Sequence, residues 1–145
     1  MKSLNKNLIY IIITIILFVA IALLLFFKFG NNESKKDYNA FFKSFSVGLA
    51  ELGIENTEMF IDADGYDVVE ARSYKSNEGK TVTIYVLDKK SSSFKNTVKN
   101  QRMVNKNNPD FIVEGIVVNE YFYSLEEGFP KDFEVYDLFV KLANE

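Results

Sequence analysis

The run LIYIIITIILFVAIALLLFF, from Leu8 to Phe27, constrains this chain more than any other feature. It is twenty residues long and uncharged, and only Tyr10 and Thr14 bring hydroxyl groups to it. A helix of that length, at about 1.5 Å per residue, reaches the roughly 30 Å of a bilayer's hydrocarbon core. Lys2 and Lys6 precede the run and Lys28 closes it. The pattern predicts an uncleaved single-pass transmembrane anchor within residues 1–29, held in the lipid bilayer through Leu8–Phe27. Ala20-Ile21-Ala22 has the small-x-small form of a cleavage site, but cutting there would leave LLLFFKF as a new, apolar N-terminus. The run also exceeds the apolar region of about 7–15 residues usual in secretory signals. It contains no charge, proline or GxxxG, so it offers neither an ion pathway nor a specific dimer motif. A short N-terminus ahead of a signal-like helix favours that terminus in the cytoplasm of a bacterial cell. The C-terminal domain is then expected outside it.

What the chain lacks narrows its chemistry. Cys, His and Trp are all absent from the 145 residues. There is thus no thiolate nucleophile, disulfide or Cys-zinc site, and the commonest general base and metal ligand is missing. No phosphate loop is present either: Gly79-Lys80-Thr81 would need a glycine five positions earlier, where Tyr74 stands. These absences point to a non-enzymatic module with no cofactor. Catalysis would have to rest on carboxylates such as Glu114, Glu120, Glu126 and Glu127, as in an envelope hydrolase with an Asp/Glu pair, which is the alternative reading.

After a polar linker at 30–37, residues 38–145 read as a soluble α+β domain. Tyr38, Phe41, Phe42, Phe45, Leu49 and Leu52 recur at helical spacing, which predicts a helix over 35–52, with Gly53 and Ile54 as its C-terminal cap. Strand-like runs follow at Glu58–Ile61, Tyr66–Tyr74 and Thr81–Leu87, the last alternating Val82, Ile84 and Val86 with polar or aromatic residues. Ser91 to Ser93 open a second helix expected to run to about Lys106, where Asn107-Asn108-Pro109 ends it. Phe111 to Ser124 is β-rich, as one strand or as a hairpin turning near Glu114-Gly115 or Asn119-Glu120. Asp132 then caps a last helix with Phe133, Tyr136, Phe139, Val140 and Leu142 inward. The predicted order is α-β-β-β-α-β(β)-α, a mainly antiparallel sheet covered by helices.

Two clusters are candidate sites. Asp62, Asp64 and Asp67 crowd Gly65 and invite a calcium reading, but an EF-hand loop aligned on Gly65 would put Phe60 at position 1 and Ala71 at position 12, where acids are required. A type I′ hairpin on Asp64-Gly65, pairing Asp62 with Asp67, accounts for the composition. It leaves only like-charge repulsion to attract a weakly bound cation. The second cluster is cationic. From Lys89 to Asn108 no acid occurs, while residues 38–145 as a whole carry 18 acids against 12 bases. Lys95, Lys99, Arg102 and Lys106 fall on one face of the expected helix. That face is either simply solvated or a contact surface for a protein or an anionic envelope polymer or lipid. Nucleic acid is not expected, because the domain is net acidic and carries no recognised motif.

Overall fold

The structure is a computed structural model that describes Tyr10, residues 12–22 and residues 36–145. The chain divides into two units, Met1–Asp37 and Tyr38–Glu145. Of the first unit, residues 12–22 form helix α1. Its large apolar residues Ile12, Ile13, Ile15, Ile16, Leu17, Phe18, Val19 and Ile21 are all exposed. Thr14 satisfies its hydroxyl within the helix, donating to the Tyr10 carbonyl at 2.8 Å. Among the described residues no helix is long and apolar enough to cross a membrane. The span expected at Leu8–Phe27 falls in part on residues 8, 9, 11 and 23–27, and most of the expected linker on 30–35, all outside the described residues.

The second unit is an α+β fold. Its elements are α2 (Asn39–Glu51), β1 (Asn56–Phe60), β2 (Val68–Ser76), β3 (Thr81–Leu87), α3 (Phe94–Asn100), β4 (Arg102–Val104), β5 (Ile112–Glu114), β6 (Ile116–Val118), β7 (Tyr121–Leu125) and α4 (Asp132–Ala143). An antiparallel five-stranded sheet runs β1-β2-β3-β7-β6, and β4 pairs with β5 in a separate two-stranded sheet.

Helix α2 forms because Phe41, Phe42, Phe45 and Leu49 bury one stripe. It stops at Gly53, whose φ of +77° is a left-handed conformation that favours glycine. The Gly53 amide donates to the Ala50 carbonyl and the Ile54 amide to that of Leu49, both at 2.9 Å. These are the two bonds of a Schellman cap, with Ile54 buried behind it. Gly48 lets α4 approach: a Cβ there would stand 2.6 Å from a Leu138 methyl. Helices α2 and α4 cover one face of the sheet, over Tyr74, Val82, Ile84, Val86, Tyr121 and Tyr123. The alternate residues Ala71, Tyr85 and Phe122 face the other way and build a second, smaller core with Leu87 and Met103. The sheet is therefore buried on both sides, each by its own residue parity.

Three expectations need correction. The second helix ends at Asn100, not near Lys106: Gln101 turns left-handed (φ 53°), and Arg102, Met103 and Val104 continue as a strand. Burial of Met103 drives the change, because the exposed-buried-exposed alternation of these residues places one apolar side chain in the second core. The late β region breaks at both candidate points, giving three strands where one or two were expected. At Gly115 the chain passes from the small sheet to the large one; a Cβ there would lie 2.2 Å from the Tyr123 carbonyl oxygen. Finally, Phe133 is not inward but 78% exposed. Val135, Phe139 and Ala143 take the buried stripe of α4, while Tyr136, Val140 and Leu142 flank it half-buried.

The outer edge of β6 is closed by a side chain. The Val117 amide donates to the Gln101 Oε1 at 2.7 Å, and the Gln101 amide nitrogen donates in turn to the Val98 carbonyl. This removes a backbone donor from an edge that could otherwise pair with another chain. A Gly115→Ala substitution sets a methyl against a backbone carbonyl, so the strand crossing must move. It should cost about 3 kcal/mol, read as a lowered denaturant midpoint with an unchanged m-value.

Candidate functional site

The site grows out of the loop between β1 and β2. The β1–β2 ladder starts at Phe60 opposite Arg72, so Asp62 and Asp67 lie outside it and do not oppose each other. The Tyr66 amide donates to the Ala63 carbonyl at 3.0 Å and closes a turn centred on Asp64-Gly65. Gly65 has φ +83°, whereas Asp64 keeps a negative φ. That is the pattern of a type II turn, not of the type I′ hairpin expected. Asp62 accepts the Asp64 amide at 3.0 Å, a local Asx turn.

The segment 105–107 lies against this turn. Asn105 donates to the Asp64 carbonyl at 2.9 Å and the Lys106 amide to that of Gly65 at 2.8 Å. Asn107 donates to the Asp64 carboxylate at 3.2 Å. A side chain at Gly65 would collide with Asn105, so the glycine serves both the turn and the docking. The two candidate clusters thereby meet. The Lys106 ammonium lies 2.5 Å from one oxygen of Asp67, and the Ser93 hydroxyl donates to the other. Hydrogen bonds from Lys106 and then Ser93 hold the Asp67 carboxyl below the usual carboxylate range, against a smaller opposing effect of burial. The cation that relieves Asp67 is a lysine of the same chain. Among the described residues no group of three His, Cys, Asp or Glu side chains could hold a metal ion.

Beside the Asp67 contact opens a cleft of about 280 Å³ beneath α3. Ser93, Asn96, Asn100 and Arg102 give it polar walls, and Leu87 and Met103 an apolar base. Arg102 is exposed at its mouth, and Lys95 and Lys99 are exposed on α3. None of these three cations has an ion pair among the described residues. The four cations therefore do not share a helical face: Lys95 and Lys99 stand on α3, Arg102 on β4, and Lys106 turns to Asp67. What remains is three exposed, unpaired cations, of which Arg102 alone lines the cleft. Two of the late acids are engaged by lysines. Glu120 is buried and held by Lys89 at 3.2 Å. Glu126 is bound by Lys80 and the Thr81 amide, which lower its pKa.

The most heavily engaged polar group was not singled out in the sequence. Arg72, in β2, is 8% exposed. Its guanidinium binds Glu70 at 2.6 Å, Glu58 at 2.6 Å and the Asn39 side-chain oxygen. The rings of Phe42 and Phe60 sandwich it at 4.5 and 4.7 Å. The available signal is the alternation of Glu70, Arg72 and Tyr74, which puts an arginine on the face that Tyr74 turns to the core. Comparison of the chain with protein-family models, with curated proteins and with solved structures finds no match.

Because its pKa is lowered in the folded state, Asp67 contributes stability above the unfolded carboxylate pKa of about 3.9, and that contribution is lost as pH falls through the folded value. Thermal unfolding of Asp67→Asn and the parent chain should differ at pH 7. The difference should shrink steadily below about pH 4.

Proposed function

We propose that the protein is a single-pass, membrane-anchored, non-enzymatic accessory module. In this reading Leu8–Phe27 spans the bilayer of a bacterial cell, and residues 38–145 stand on the extracytoplasmic side. There the domain binds an anionic surface or an acidic partner through Lys95, Lys99 and Arg102. The observation that carries the reading is the set of three exposed, unpaired cations on α3 and β4, on a domain whose other charges are mostly acidic. The anchor is supported by α1. Its eight large apolar side chains are exposed, and burying each such group is worth roughly 1.5–3 kcal/mol, so a lipid environment suits the helix far better than water. A hydrolase reading would rest on Glu114, which lines a groove with Asp132, since Glu120 and Glu126 are each paired with a lysine.

Two measurements test this. In cells stripped of their wall, a C-terminal tag should be removed by external protease without permeabilisation, and the chain should resist alkaline carbonate extraction. A protected tag places the domain in the cytoplasm, and extraction by carbonate removes the anchor. For binding, the full chain in zwitterionic nanodiscs should associate with phosphatidylglycerol vesicles but not with phosphatidylcholine vesicles. At about 1 kcal/mol per cation near an anionic surface, the triple variant Lys95→Glu, Lys99→Glu, Arg102→Glu should lose on the order of a hundredfold in affinity. The residual binding should weaken further in salt. Equal retention of both forms would sink the proposed contact surface.

A further inference from the structure

The helix-covered face of the large sheet is not covered to its end. Helix α2 packs toward β1 and α4 rests on β7, which leaves β6 beyond both helices. Ile116 pairs across the ladder with Tyr123 on that same face, yet remains 40% exposed. Between β6 and the first turns of α4 lies a groove of about 460 Å³. Ile116 and Tyr123 form its floor, and Tyr136 and Phe133 its helical wall.

Two observations describe what this groove would take. The first is Phe133, a large aromatic side chain left 78% exposed at the rim, beside the buried ring of Tyr123. An aromatic anchor at the mouth of a concave apolar surface is the residue type that dominates binding when a partner covers it. The second is charge. The groove's charged lining consists of Glu114 and Asp132, both exposed carboxylates without an ion pair among the described residues. Asp132 and Glu134 in the first turn of α4 also outweigh the roughly half positive charge of a helix N-terminus.

An apolar trough and a negative rim match one kind of occupant. We propose that this groove docks a short apolar segment of a partner protein flanked by lysine or arginine. An aliphatic or aromatic side chain of the segment fills the space beside Phe133 and over Ile116. A flanking cation pairs with Asp132 or Glu114. The segment does not add as a strand to the sheet, because Gln101 already occupies the outward amide of Val117. This surface has the opposite charge to the α3 cations, so the proposal stands or falls independently of anionic binding there.

The test uses the full chain, labelled with ¹⁵N, in zwitterionic nanodiscs. The probe is the N-acetylated, C-amidated peptide Lys-Leu-Phe-Leu-Lys. Saturable shifts are expected at the amides of residues 114–116, 123 and 132–136, with none from the matched peptide Glu-Leu-Phe-Leu-Glu. Phe133→Ala should keep the thermal midpoint, since the side chain is exposed, and weaken the peptide roughly tenfold. The double variant Glu114→Gln, Asp132→Asn should also weaken it, because the flanking lysines lose their counter-charges. No saturable shift, equal shifts from the acidic peptide, or unchanged affinity in either variant would overturn the proposal. So would the same amides responding to dodecylphosphocholine monomers, which would make the groove an acyl-chain site.

Discussion

The guanidinium of Arg72 ties together the three elements that start the domain. Burying a charge in a sheet costs several kcal/mol unless hydrogen bonds and counter-charges replace the lost water. Here Glu70 comes from the same strand, Glu58 from β1 and Asn39 from the first position of α2. Phe42 lies on one face of the group and Phe60 on the other, which explains why so exposed a phenylalanine is held on an edge strand. With β1, β2 and α2 joined at one atom cluster, the angle at which α2 crosses the sheet is set. Phe45 then meets Tyr74, whose hydroxyl donates to the Phe42 carbonyl at 3.0 Å. Everything packed beneath α2 inherits that geometry.

The parts of the fold legible in the sequence are those where one period dominates. The aromatic stripe of α2 and its Gly53 cap, and the alternation in β3, are local patterns that tertiary contacts reinforce. The α3–β4 boundary was not legible. Residues 94–106 carry lysines at spacings compatible with a helix, and nothing local announces that Met103 belongs in a core built by Tyr85 and Phe122. Phe133 misled for the reverse reason: hydrophobicity suggests burial, but the phase of α4 is set by Val135 and Phe139 against α2 and β7. A residue two positions from Val135 on a helix cannot share its face.

The candidate site was half legible for similar reasons. The acids near Gly65 and the cations after Lys89 were each visible as composition. That Lys106 reaches Asp67 is a contact between residues 39 apart in sequence, created by the docking of 105–107 on the turn. That docking changes the meaning of both clusters. It pairs Asp67 with a lysine and so leaves one cation of the cluster paired. Lys95, Lys99 and Arg102 are left as the exposed charge. Sequence spacing on an assumed helix groups four residues; the strand break leaves Lys95 and Lys99 on α3 and Arg102 on β4.

The close approach at Gly48 sets the order of events during synthesis. Leu138, the residue it admits, follows Gly48 by 90 residues (138 − 48). The aromatic stripe of α2 emerges early and is not fully covered until the last helix arrives. Contacts of such long range make the final closure slow and leave apolar surface open in the interval. A chain that ends before α4 would therefore lose more than one helix, because Phe41, Phe45 and Tyr123 would all lose the cover that Phe139 and its neighbours provide.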